Sequence, residues 1–118
     1  MNLEKLKKNY EFSKVFKSGK RQFGRELSIY FVKNKLAYNR LGFTTVKKYG
    51  NAVQRNRERR LLREAYRNLE PQLKHGYDIV IMGRNSEKIS DYHSVRADML
   101  KLFTRAKLLE ETTEICSE

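Results

Sequence analysis

Between Asn51 and Pro71 the chain carries one helical segment whose two sides are chemically opposite. Asn51 can cap a helix start and Pro71 forces an end near Glu70, so the spacing predicts a helix from 52 to 69. On a wheel at about 100° per residue, Leu61, Leu62, Ala65, Tyr66 and Leu69 fall on one arc. Arg59, Arg60, Arg63 and Arg67 fall on the opposite arc with Asn56 among them, and Arg55 flanks that arc at the helix start. Such a helix has to lay its apolar side on another element and leave its guanidinium side outside.

The flanking segments supply a sheet for it. Residues 27–32 (Leu-Ser-Ile-Tyr-Phe-Val), 41–46 (Leu-Gly-Phe-Thr-Thr-Val) and 77–82 (Tyr-Asp-Ile-Val-Ile-Met) are expected strands, the last apolar enough for burial on both faces. A first helix is expected from 9 to 18, with Phe12, Val15 and Phe16 on one stripe and Gly19 ending it in a left-handed conformation. A last helix is expected from 91 to 109, with Val95, Met99, Leu102, Phe103 and Ala106 in register. The fold class is α/β, a helix and strands before the long helix, then a strand and a helix. If the strands on either side of the long helix are neighbours, they need a parallel crossover. The expected organisation is one domain over 1–109, followed by an acidic, fraying tail over 110–118.

Charge narrows the function. Lys and Arg number 26 against 14 acids, a net charge of +12 on 118 residues. That excess costs self-repulsion and suits a polyanionic partner, nucleic acid first. An anionic membrane would require a spare apolar helix face, and none is evident. The one cysteine, Cys116, fits a reducing compartment, and no signal peptide or long apolar run precedes or interrupts the charges, so a cytoplasmic protein is expected. No catalytic residue is expected. His75 and His93 stand alone, Asp78, Asp91 and Asp98 form no carboxylate cluster, and neither zinc spacing nor a phosphate-binding loop is present.

A charged helix face is ordinarily a solvated one with partners at i, i+4. Here only Glu58 and Glu64 stand among the arginines of the helix, too few to pair them. Arginine is also the residue whose planar fork grips phosphate with two hydrogen bonds and stacks on bases.

The stretch Gly50-Asn51-Ala52-Val53, then Arg55-Asn56-Arg57, then Arg59-Arg60 and Arg63, preceded by Lys47-Lys48, resembles the signature of the bacterial ribonuclease P protein. The similarity takes in Glu11-Phe12, Val15-Phe16, Gly19, Arg40-Leu41-Gly42 and Tyr77-Asp78-Ile79-Val80, and runs from about residue 6 to 103. The resemblance implies an αβββαβα order, a four-stranded mixed sheet with helices on one side, and a left-handed βαβ crossover where the general rule favours a right-handed one. It implies the protein subunit of an RNA-based endoribonuclease that removes the 5′ leader of precursor tRNA. The RNA would carry catalysis and hold Mg²⁺, and no protein partner or tightly bound cofactor would be needed.

The resemblance also assigns residues. Lys47, Lys48, Asn51, Arg55, Asn56, Arg57, Arg59, Arg60, Arg63 and Arg67 would bind the catalytic RNA. Phe12, Phe16 and Tyr30, with Lys14, Lys17 and Arg21 nearby, would bind the single-stranded leader. By spacing alone, Phe12 and Phe16 would be core. Glu58 on the apolar arc and Val46 before Lys47 depart from the family pattern. Rival readings are a ribosomal RNA-binding protein, a duplex DNA binder and a protein-only nuclease.

Overall fold

The computed structural model describes residues 4–5, 9–45, 51–84 and 91–109. Its elements are β1 (Glu4–Lys5), α1 (Asn9–Ser18), β2 (Lys20–Phe23), β3 (Leu27–Lys33), β4 (Arg40–Thr45), α2 (Ala52–Leu69), a 3₁₀ turn (Glu70–Gln72), β5 (Tyr77–Gly83) and α3 (Tyr92–Arg105). The four principal strands form the expected mixed sheet. β3 is antiparallel to both β2 and β5, and β5 is parallel to β4. The two-residue β1 adds to the outer edge of β4, giving the order β1-β4-β5-β3-β2.

Strand alternation divides the molecule into two layers of cover. Leu27, Ile29 and Phe31 of β3, Ile79 and Ile81 of β5 and Leu41 of β4 face one way. They pack with Leu62, Ala65, Tyr66 and Leu69 of α2 and with Val95, Met99, Leu102 and Phe103 of α3. The alternate residues Tyr30, Val32 and Val80 face the other way and meet Phe12, Val15 and Phe16 of α1. The helices therefore do not all lie on one side, as the resemblance implied. β3 and β5 are apolar on both faces, and α1 covers the face opposite to α2 and α3.

The crossover from β4 through α2 to β5 is left-handed, and two backbone hydrogen bonds give its hand. In an upward-running strand of L-residues, a side chain aimed at the viewer carries its own N–H to the right. Arg84 extends the α1-side row of β5, and its N–H donates to Glu26 O at 3.0 Å. Asn34 likewise extends that row of β3 and donates to Gly76 O at 2.9 Å. Seen from the α1 side with β5 upward, β3 is on its right, β4 on its left, and α2 is behind the sheet. The general rule favours the opposite hand.

Local expectations fare unevenly. Asn51 caps α2 in a reciprocal box with Gln54, at 2.9 Å in both directions. Glu58, which the wheel placed on the apolar side of α2, is fully buried, whereas Leu61 from the expected apolar arc is only half-buried. Gly19 does not take a left-handed conformation; Gly76 is the one described glycine with positive φ. Gly19 is needed instead for space, since a Cβ there would lie 2.5 Å from Val15 O and 2.6 Å from Phe31 O. α3 stops at Arg105, short of 109, because Lys107 turns left-handed and Leu108 folds back to accept from Lys74 N at 2.7 Å. Val46, Lys47, Lys48, Cys116 and the whole acidic segment 110–118 lie outside the described residues.

A polar clamp ties α1 to the sheet. Arg40 of β4 grips the buried Asp78 of β5 with Nε at 2.8 Å and Nη2 at 2.7 Å, and reaches Glu11 of α1 with Nη1 at 2.8 Å. Asn34 Nδ2 adds a bond to Asp78 at 2.9 Å. Burial alone would raise the Asp78 pKa, but the hydrogen bonds from Arg40 and Asn34 and the charge of Arg40 outweigh it and hold the carboxyl below its ordinary value. The ionised form is therefore favoured in the folded state. Its stabilisation is fully present above the ordinary aspartate range, about pH 4, and is lost as pH falls through the lowered folded value. Asp78→Asn should cost about 2 kcal/mol at neutral pH, and the gap from wild type should close on acidification below about pH 4. Urea unfolding at a series of pH values checks both statements.

Candidate nucleic-acid interface

Two surfaces combine charge with exposed ring or guanidinium planes. The first is the outer side of α2. Asn56, Arg57, Arg60 and Arg67 are exposed there, and Arg55, Arg59 and Arg63 half-exposed. Arg59 donates to Asn56 Oδ1, which orients both side chains. Arg67 pairs with Glu64 at 3.1 Å, an exposed contact of little energetic weight. Arg63 leaves the solvated row. Its guanidinium carbon sits 5.7 Å from the centre of the Phe43 ring, and its buried Nε has no hydrogen-bond partner among the described residues. Glu58, which the wheel placed on the apolar side, packs beneath the helix on Gly83; a Cβ on that glycine would lie 2.7 Å from Glu58 Cγ. Asn51 is engaged in the helix cap, so its side chain shapes the start of α2.

The second surface is an open groove of about 380 Å³ between α1 and the sheet. Phe12 and Phe16 of α1, Phe43 and Thr44 of β4 and Met82 of β5 line it. Val15, the residue between the two phenylalanines on the stripe, is fully buried on Val80, so it anchors the helix while its neighbours remain half-exposed. The Phe12 ring lies on Gly42, where an added Cβ would come within 2.4 Å of Cε1. Tyr30 stands edge-on to Phe16 with ring centres 4.7 Å apart. Lys14, Lys17 and Arg21 are exposed along this side, and the Arg21 guanidinium lies 5.9 Å from the centre of Phe23.

The structure thus brings Phe12, Phe16 and Tyr30 to one side of the sheet with Arg21 on the same side, and gathers Arg55–Arg67 along one helix. Phe43 borders the groove between Gly42 and Thr44, but its ring lies on the α2 side of the sheet, edge-on to Tyr66 at 6.2 Å and beside Arg63. Phe43, Thr44, Met82 and Phe23 are absent from the sequence-based assignment. Period-2 alternation in β4 and β5 puts Thr44 and Met82 on the α1 side, but it cannot say that α1 leaves them uncovered.

Comparison with known proteins decides the family. The family model described as Ribonuclease P matches residues 1–107. The chain belongs to the ribonuclease P protein family. It is 40% identical over 106 residues to the ribonuclease P protein component of Natranaerobius thermophilus, covering 90% of this chain and 92% of that one. Identity to the component of Alkaliphilus metalliredigens is 43% over 105 residues, covering 89% and 95%. Among solved structures, the Staphylococcus aureus RNase P protein superimposes with a TM-score of 0.80 at 27% identity, covering 92% of this chain and all (100%) of that one. The Thermotoga maritima RNase P protein gives 0.78 at 34%, covering 86% and 96%. This chain is accordingly a protein component of ribonuclease P, the ribonucleoprotein endoribonuclease that removes tRNA 5′ leaders.

No described group of three or more His, Cys, Asp or Glu side chains is placed to hold a metal ion. His75 instead faces Glu70 at 3.4 Å, and His93 lies edge-on to Tyr92. No described helix is long and apolar enough to cross a membrane.

The Phe12–Gly42 contact can be tested without any ligand. Gly42→Ala should cost about 1–3 kcal/mol by overpacking, as the helix lifts or the ring rotates. Thermal unfolding of Gly42→Ala against Phe12→Leu/Gly42→Ala, which removes the ring edge, should show the loss partly restored in the double variant.

Proposed function

We propose that the arginine side of α2 docks on the catalytic RNA subunit, and that the groove between α1 and the sheet holds the single-stranded 5′ leader of precursor tRNA. The single observation that carries the leader assignment is that Phe12 and Phe16 line an open groove and stay only half-buried, with Tyr30 edge-on to Phe16 beside it. Spacing alone would make the two phenylalanines core, yet the buried member of the stripe is Val15. Rings exposed in this way can stack on bases of any identity, at about 1–3 kcal/mol per base. Lys14, Lys17 and Arg21 supply charge for the accompanying phosphates.

On α2, Arg55, Asn56, Arg57, Arg59, Arg60, Arg63 and Arg67 would grip phosphates and sugar edges of the catalytic RNA, with Asn51 setting the helix start. Lys47 and Lys48, outside the described residues, extend that charge on the family pattern. β4 borders both sites, Thr44 on the groove face and Phe43 under Arg63 on the other, which supports a path by which an RNA held on α2 passes the β4 edge and delivers its leader into the groove. The apolar side of α2 is occupied by the sheet and α3, which disfavours entry of this helix into a DNA major groove.

The catalytic step belongs, in this reading, to the RNA. Mg²⁺ would be held mainly by RNA phosphates, which offer the hard oxygen ligands that this ion takes. The chain would act in the cytoplasm as one RNA-binding unit over 1–109. Its contribution is leader affinity and neutralisation of phosphate repulsion at low Mg²⁺.

Precursor cleavage at low Mg²⁺ tests this reading, with catalytic RNA alone, with RNA plus protein, and with protein alone. Strong stimulation and an inactive lone protein are expected; a folded, RNA-binding sample that fails to stimulate overturns it. Phe16→Ala should weaken precursor binding by about 1–3 kcal/mol and leave mature tRNA unchanged; equal loss for both would make Phe16 a packing residue only. Assembly with the catalytic RNA should fall steeply with salt, by roughly 10³–10⁵ between 50 and 200 mM for 6–10 phosphate contacts. Arg59→Ala should lower the salt slope by about one contact.

A further inference from the structure

We infer that Phe23, with the guanidinium groups of Arg21 and Arg84, forms a second base-stacking platform that holds a more distal nucleotide of the single-stranded leader. The inference rests on the reading of the groove as the leader site and extends it to the opposite edge of the sheet.

Phe23 is the last residue of β2, an edge strand, and 49% of it is exposed. A large aromatic side chain in that setting is an aggregation hazard unless something covers it. Its position is fixed by register. Phe23 pairs with Ser28, Ser28 with Met82, and Met82 with Thr44, so the four residues form one transverse row across β2, β3, β5 and β4 on the α1 side. Thr44 and Met82 line the groove at one end of that row, and Phe23 ends it at the other. Three inter-strand steps separate the ends, about 14 Å. The rings follow the same direction. Phe16 meets Tyr30 at 4.7 Å, and Tyr30 meets Phe23 at 6.1 Å, both edge-on. An aromatic path therefore leads from the groove wall to the exposed ring.

Charge marks the occupant as a nucleic acid strand. Arg21 and Arg84 stand with guanidinium carbons 5.9 and 5.3 Å from the Phe23 ring centre. Arg84 is steadied by a bond to Gly24 O at 3.2 Å, and Arg25 is exposed in the same hairpin. Among the described residues, no carboxylate is within ion-pair distance of Arg21 or Arg84. A half-exposed ring flanked by guanidinium groups offers a stacking plane and phosphate donors together, the combination that holds single strands without sequence preference. An apolar protein partner would leave both cations against its surface. The groove ends at β4, whose other face carries Phe43 and Arg63 where the catalytic RNA is proposed to dock, so the Phe23 end, at the opposite edge of the sheet, is the distal one.

The test uses holoenzyme reconstituted from catalytic RNA and protein. Its affinity is measured for precursor tRNAs with very short and with long leaders, and for mature tRNA. Phe23→Leu, which keeps apolar bulk but removes the stacking plane, should weaken long-leader binding about fivefold or more and spare short-leader and mature tRNA. Phe23→Trp should retain long-leader affinity, and Arg84→Ala should share the loss. Phe16→Ala, measured beside them, should weaken short-leader precursors as well. If Phe23→Leu leaves the dependence on leader length unchanged while Phe16→Ala discriminates precursor from mature tRNA, the platform is overturned and the groove reading stands. If Phe16→Ala does not discriminate, the groove reading itself fails. A uniform loss for all three RNAs in Phe23→Leu would make Phe23 a packing residue of the hairpin and also overturn the platform.

Discussion

Strands β3 and β5 are apolar on both faces, and the remaining architecture answers that constraint. Neither face of this antiparallel pair can be left wholly to water, because one carries a full row of buried apolar side chains and the other carries Val80, Val32 and Tyr30. One face receives two helices, α2 and α3, whose combined apolar sides close a continuous core around the fully buried Tyr66 and Phe103. The other receives only α1, ten residues long and therefore about 15 Å in length. A helix that short covers Val80 and Val32 but stops short of Thr44 and Met82. The groove is the uncovered remainder of a sheet face.

α1 is held firmly beside that remainder. Arg40 joins α1, β4 and β5 through Glu11 and Asp78, and Gly42 lets the Phe12 ring rest directly on the strand. Side chains whose backbone is fixed in this way lose little further entropy on meeting a base, which favours stacking over a flexible display. On the opposite layer, the core packing of α2 fixes the row of arginines on its outer side, and Arg63 lies over the Phe43 ring at the end of β4. What both surfaces present is planes and charges, the means by which single strands can be held without sequence preference.

Several features were legible beforehand for definite reasons. The span of α2 followed from Asn51 and Pro71 at its ends, since a side-chain cap and a proline act locally. The double burial of β5 followed from its unbroken apolar run, and the arginine row from helical periodicity. Other features escaped for equally definite reasons. β2 is charged and only four residues long, so it carries no apolar signal and exists through its pairing with β3. The wheel placed Glu58 on the apolar side of α2, but it could not show that Gly83 of β5 leaves the room that receives it. The end of α3 is set by contact of Leu108 and Leu109 with the segment after α2.

What the amino-acid order determined by itself was the inventory: a helix with opposed faces, strands apolar on one or both sides, a large positive charge, and a motif dense enough to name a family. Those properties are local or additive, so each can be read one window at a time. Only the tertiary structure decided which side of the sheet each helix covers, that the crossover is left-handed, and that Phe12 and Phe16 flank a groove while Val15 between them is buried. These outcomes depend on where a finite helix ends against a twisted sheet and on which residues from distant strands share a row. Such relations arise only when the chain closes on itself.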